Sequence, residues 1–158
     1  YAARMAIGVL SGGMGARLFT EIREKRGLVY SVSASPSEVR GHGTIMCYAG
    51  TTPERSQETL DVLVQELRRL GEGVEAAELE RARVGLLSSL VMQGESTSAR
   101  ARAITSDYFY LGRVRSLREI REGVEGVTPE AIVDHLACHP AENFTVTSLG
   151  PRRLTVPA

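Results

Sequence analysis

No stretch of the 158 residues approaches the roughly 18 consecutive apolar residues that a membrane-spanning helix needs. No charged segment leads into an apolar one as a secretory leader would. The visible chain reads as soluble; its compartment stays open, with cytoplasm favoured over periplasm. An excess of charge is also lacking: 19 basic residues face 19 acidic ones, so nothing draws the chain to nucleic acid or another polyanion. Lysine is almost absent, Lys25 standing alone among arginines, which reads as compositional habit rather than a binding feature. The two cysteines, Cys47 and Cys138, are far apart and form no CxxC or CxxH pair. That excludes a zinc ribbon and a disulfide framework and predicts two ordinary buried thiols. Repeats and low-complexity tracts are missing as well.

What is present suits one domain, since a chain of 158 residues can bury roughly 70% of the surface it exposes when unfolded. Residues 1–10 are apolar near helical spacing, with Ala3, Ile7 and Leu10 aligned. Three glycines, Gly12, Gly13 and Gly15, then break the pattern. A second short helix is predicted over 16–25, with Leu18, Phe19 and Ile22 on one face and Gly27 as its stop. Residues 28–34 and 44–49 have strand composition, and 36–43 between them reads as a loop, giving an antiparallel pair. Thr52 as cap and Pro53 at the first position predict a helix carrying Leu60, Leu63, Val64 and Leu67. Further helices follow. One bears Leu79, Ala82, Leu86, Leu87, Leu90 and Val91, with Glu75, Glu78 and Glu80 near its start; one spans 96–111 with Ile104, Tyr108 and Leu111 aligned and Gly112 as stop. Two more are expected around 116–122 and from Thr128-Pro129, and residues 143–149 alternate as a final strand.

Strands that do not alternate singly with helices build no regular parallel sheet, so the class is α+β: an antiparallel sheet flanked by several helices. Three strands make a thin sheet. The chain also opens at Tyr1 inside a helical pattern, without an initiator methionine. The expectation is a single domain over 1–158, truncated at its N-terminal side.

The sharpest stretch is Gly12-Gly13-Met14-Gly15-Ala16-Arg17-Leu18-Phe19, followed by Arg23-Glu24-Lys25-Arg26-Gly27-Leu28-Val29-Tyr30-Ser31. It resembles the carboxy-terminal half of the insulinase/pitrilysin family of metallopeptidases, which includes bacterial processing proteases and mitochondrial processing peptidase. The likeness continues through Tyr48-Ala49-Gly50-Thr51, Pro53-Glu54, Glu78 to Ala82, Glu95-Ser96 and Ser148 to Pro151, in order along nearly the whole chain. The resemblance implies half of a clam-shell peptidase whose zinc sits in the other half. It implies that Arg23 and Tyr30 are the catalytic-site residues supplied from this side. A guanidinium and a phenol can both donate to a peptide carbonyl oxygen as zinc-bound water attacks. For an arbitrary pair, a solvated arginine and a core tyrosine would be the better reading; the matched context reverses that. On this reading zinc belongs to the complete enzyme and is bound outside this segment, which alone should not hydrolyse peptides. The partners implied are a peptide substrate and an amino-terminal zinc-bearing half or partner subunit, in a dimer. The rival reading is a non-catalytic partner or scaffold, as in respiratory-complex core proteins, or one chain of a two-subunit peptidase.

Two other features are weighed and set aside. The glycine cluster lacks a GK[ST] ending and follows no predicted strand, so it reads as a flexible turn sooner than a phosphate cradle. His135 and His139 stand four apart and mimic an inverted HxxEH motif, but Cys138 replaces the glutamate and no third ligand is near. No metal site is therefore expected in the segment. His42 reads as a surface residue, and Glu78–Arg81 and Glu80–Arg83 as solvated helix-surface pairs.

Overall fold

A computed structural model describes residues 1–39 and 42–157. Helix α1 (Ala2–Ser11) buries Met5, Ala6, Val9 and Leu10, one apolar face at helical spacing. It packs against α3, β1, α6 and α2, so it runs through the middle of the domain. After the glycine turn the backbone re-enters helix at Arg17 and Leu18, then widens into a π-helix, Phe19–Glu24. Strands β1 (Val29–Val39) and β2 (His42–Thr51) form an antiparallel two-stranded sheet. Five helices follow: α2 (Ser56–Leu70), α3 (Ala76–Gly94), α4 (Thr97–Leu111), α5 (Leu117–Glu125) and α6 (Pro129–Cys138). The order confirms the α+β class.

The core joins α1, the π-helix, α2 and α6 through the fully buried Met5, Leu10, Leu18, Ile22, Leu70 and Ile132, and the sheet, α3 and α5 through Val29, Leu79 and Val124. Each such side chain contributes about 1.5–3 kcal/mol relative to exposure. At the α1–α3 crossing, Gly8 lets the helices close in: a Cβ there would stand 3.1 Å from Ala82 Cβ.

The strands are longer than expected, running through Pro36 and starting at His42, so pairing takes up 36–39 and 42–43 of the predicted loop, whose residues 40 and 41 lie outside the described residues. The Ala34 N–H points away from β2 and donates to Ser11 Oγ at 2.8 Å. Two residues on, the Pro36 nitrogen faces the same outer edge, where a missing N–H costs no ladder bond. His42 is exposed at the start of β2.

Three other expectations are corrected. Thr52 to Arg55 form a turn, Arg55 N–H donating to Thr52 O at 3.2 Å, and α2 begins only at Ser56. Residues 143–149 form no strand. A lone strand leaves its backbone groups unpaired, and no described neighbour is offered to them. Further on, the Gln57 side chain takes the role of a ladder partner, donating to Thr155 O at 2.7 Å and accepting Thr155 N–H at 2.9 Å. Cys138 is exposed, whereas Cys47 lies partly buried against the core side of the sheet, and that burial pushes its thiol pKa up. The expected helix over 96–111 is present with Gly112 as its stop, and its aligned Ile104, Tyr108 and Leu111 are 49%, 68% and 50% exposed. Among the described residues α4 packs chiefly on α3, and only its Asp107 is buried.

Candidate functional site

Arg23 and Tyr30 belong to segments joined by a single turn. The π-helix carries Arg23 near its end, its widened turn marked by Lys25 N–H donating to Thr20 O at 3.0 Å. Gly27, at φ 59°, reverses the chain in the left-handed region. Its N–H donates to Arg23 O at 3.0 Å, and Leu28 N–H donates to Ile22 O at 2.9 Å. Two side chains then pin the turn's carbonyls: Arg55 donates to Gly27 O, and Thr51 Oγ1 donates to Leu28 O at 2.6 Å.

Tyr30 occupies a β-bulge. Val29 pairs with Thr51 and Ser31 with the adjacent Gly50, leaving Tyr30 as the extra residue. Val29 and Val32 both pack on the core, so the bulge lets Tyr30 and Ser31 lie between two inward-facing valines. Tyr30 is 85% exposed and therefore is no core tyrosine.

The bulge and the π-helix bring the two predicted residues together. The Arg23 guanidinium carbon lies 5.7 Å from the Tyr30 ring centroid and 5.0 Å from that of Phe19. Phe19 is half-buried one turn before Arg23 on the same helix. Among the described residues no carboxylate ion-pairs with Arg23. The neighbouring cations are matched instead: Glu21 accepts Lys25 Nζ at 2.6 Å and Arg26 Nη1 at 2.9 Å. Those hydrogen bonds hold the Glu21 carboxyl below its usual range. The arrangement leaves one exposed guanidinium and one exposed phenol side by side, both able to donate.

Phe19, Glu21, Thr51 and Arg55 were not singled out by sequence as parts of this site. The i, i+4 spacing of Phe19 and Arg23 was a readable signal; the Arg55 and Thr51 contacts depend on the fold. Ahead of the site, Arg17 is buried against α3, donating to both Glu78 oxygens and to Gly73 O. Glu78 is thus held by Arg17 and not by Arg81, while the Glu80–Arg83 pair is present.

At the other end of the chain His135 and His139 stack with ring centroids 4.6 Å apart. Burial, then the neighbouring His139, holds His135 below the ordinary histidine pKa. His139 Nδ1 lies 3.0 Å from His135 O. The glycine turn follows a helix, α1, so it does not have the strand-turn-helix order of a nucleotide loop.

The model of the peptidase M16 inactive domain matches residues 1–86, from α1 into α3, a stretch that contains Phe19, Arg23 and Tyr30. The chain belongs to this family. That bears out the insulinase/pitrilysin resemblance. A Rickettsia bellii protein described as an uncharacterized zinc protease is 30% identical over 155 residues, 98% of this chain and 38% of its own length. A Streptomyces coelicolor zinc protease, also described as uncharacterized, is 35% identical over 134 residues, 82% of this chain and 29% of its own length. The chain thus spans well under half of the curated relatives it matches. Among solved structures, the M16 inactive domain from Pseudomonas fluorescens superposes with a TM-score of 0.76 at 26% identity, covering 85% of this chain and 32% of that one. A chain of complex III from Candida albicans superposes at 0.77 with 18% identity, covering 87% and 35%, a likeness of fold alone.

Zinc is implied by the relatives' descriptions, and the described residues of this M16 segment do not fit it. Among the described residues no group of three or more His, Cys, Asp and Glu is placed to hold a metal. His135 and His139, the nearest approach, have one ring nitrogen against a backbone carbonyl and no third ligand.

Proposed function

We propose that this M16 segment is the carboxy-terminal domain of a zinc-dependent endopeptidase, and that Arg23 and Tyr30 hold the carbonyl of the peptide being cleaved. The metal and its ligands would be supplied from outside residues 1–158. The observation that carries the reading is the adjacency of the two groups, with 5.7 Å between the Arg23 guanidinium carbon and the Tyr30 ring centroid. Both are exposed and both sit on irregular backbone, a π-helix and a bulge, of the kind that re-aims side chains at functional sites.

The chemistry needs donors and no base. Guanidinium N–H groups and a phenol O–H are both donors, so both can hydrogen-bond a carbonyl oxygen as negative charge builds on it. Neither removes a proton from water. The test replaces Arg23 by Ala and Tyr30 by Phe, separately, in the complete enzyme. Each substitution is expected to lower kcat/KM by about 10²–10³-fold, the usual effect of losing one such donor. Unchanged kinetics for both would refute the reading. A scaffold or partner-subunit role is the rival, supported here only by fold likeness to the complex III chain, and it predicts no bound zinc and no cleavage.

A further inference from the structure

We propose that Phe19 is a positioning residue for Arg23, its ring face holding the guanidinium in place while leaving the N–H donors free for substrate. The proposal rests on the carbonyl-binding reading of Arg23 and extends it to a residue that reading does not use.

The need for such a device follows from what surrounds Arg23. An exposed arginine has many rotamers, and ordering it costs up to about 2 kcal/mol of side-chain entropy. The common solution is an ion pair, which fixes the group by occupying its N–H bonds. Arg115 illustrates that solution: it lies 5.9 Å from the Tyr1 ring centroid, and its Nε and Nη2 donate to Asp107. Lys25 and Arg26 are likewise engaged with Glu21. Arg23 differs from all three. Among the described residues its side chain makes no ion pair, and its neighbours are two aromatic rings, Phe19 at 5.0 Å and Tyr30 at 5.7 Å.

The Phe19 ring attracts the guanidinium over the ring face through its quadrupole and, unlike a carboxylate, claims no conventional hydrogen bond from its N–H groups. Positioning and donation therefore do not compete. Of the two rings, the Phe19 ring is the closer and has no polar group. It is also the more enclosed of the two, Phe19 being half-buried. Tyr30 is highly exposed and has its own hydroxyl to place. The burden of orienting Arg23 falls on Phe19.

The test uses the full-length enzyme and a double-mutant cycle. Phe19→Leu keeps apolar bulk and removes the ring; it is expected to lower kcat/KM about 2–5-fold, the range that a surface cation–π contact of roughly 0.5–1 kcal/mol supplies. Phe19→Tyr restores the ring and should restore activity. In an Arg23→Ala background, Phe19→Leu should cause no further loss. An equal loss in that background would mean that Phe19 acts through packing, and no loss in the wild-type background would mean that it does not orient Arg23; either overturns the proposal while the carbonyl-binding reading stands. A silent Arg23→Ala would instead sink that reading itself. Should Phe19→Leu fail to fold, the wild-type enzyme answers the structural half. The Arg23 side-chain protons should be shifted upfield by ring currents, and random-coil shifts there overturn the proposal.

Discussion

Arg17 is 7% exposed, and its guanidinium meets Glu78 through two bonds of 2.7 Å and Gly73 O at 2.8 Å. The same carboxylate accepts the Glu75 N–H at 3.0 Å, closing the capping box that starts α3. Breaking one side of such a buried pair leaves a charge without a partner, typically at a cost of about 3–5 kcal/mol. Glu78→Gln is therefore expected to lower the urea midpoint of the full-length protein at pH 7. The hydrogen bond from Arg17 holds the Glu78 carboxyl below its ordinary pKa. A depressed folded-state value means stability that is fully present above the unfolded carboxylate pKa of about 4.3 and is lost as pH falls through the lower folded value. The gap between wild type and Glu78→Gln should accordingly close in acid. A gap that stays constant from neutral pH down to pH 2 would show that the pair does not titrate as described. None of this was legible at the residue level. Spacing along the helix offered Arg81 to Glu78, and a contact across 61 positions leaves no local trace.

The π-helix and the bulge are element-scale features, and the sequence announced neither. Six residues are too few for a helical period to distinguish an i→i+4 turn from a wider one. In β1, strict alternation from Val29 would have turned Val32 outward; burying both valines requires one extra residue, and Tyr30 is that residue. Gly27 was readable as a stop, and the structure adds its φ of 59°. A side chain there pays the left-handed penalty of about 1–2 kcal/mol. Gly27→Ala is expected to destabilise the full-length protein by that amount in urea unfolding, with Gly27→Asn milder, because asparagine tolerates this region better. Equal stability of Gly27→Ala and wild type would mean that the turn relaxes without cost. The predicted strand over 143–149 failed at this scale too: alternation describes a strand's faces, but a strand exists only where a neighbour takes its hydrogen bonds.

At the scale of the whole molecule the proposed peptidase role requires a metal from outside the described residues. No described cluster of this M16 segment can hold one, and the relatives described as zinc proteases extend well beyond the matched part. The full-length protein is expected to contain bound zinc and to cleave a quenched peptide in a chelator-sensitive way. Metal-free, inactive protein would point instead to a partner-dependent subunit or scaffold. The exposed stripe of α4 belongs to this scale as well. Ile104 and Tyr108 repeat at helical spacing as core residues do, yet periodicity records which face is apolar and not whether anything covers it.

Taken by itself, the sequence determined the α+β class, the order of the helices and the glycine stops at Gly27 and Gly112, because these follow from local spacing, and its family resemblance singled out Arg23 and Tyr30 as candidates. Tertiary structure alone decided that a π-turn and a bulge set those two side chains 5.7 Å apart, that Phe19 backs the guanidinium, and that Arg17 rather than Arg81 holds Glu78. The physical reason is the same in each case. Local propensity governs what a segment can become, whereas the burial of Leu18, Ile22 and Val29 in a shared core, with Val32 packed against it, governs where its remaining side chains must point.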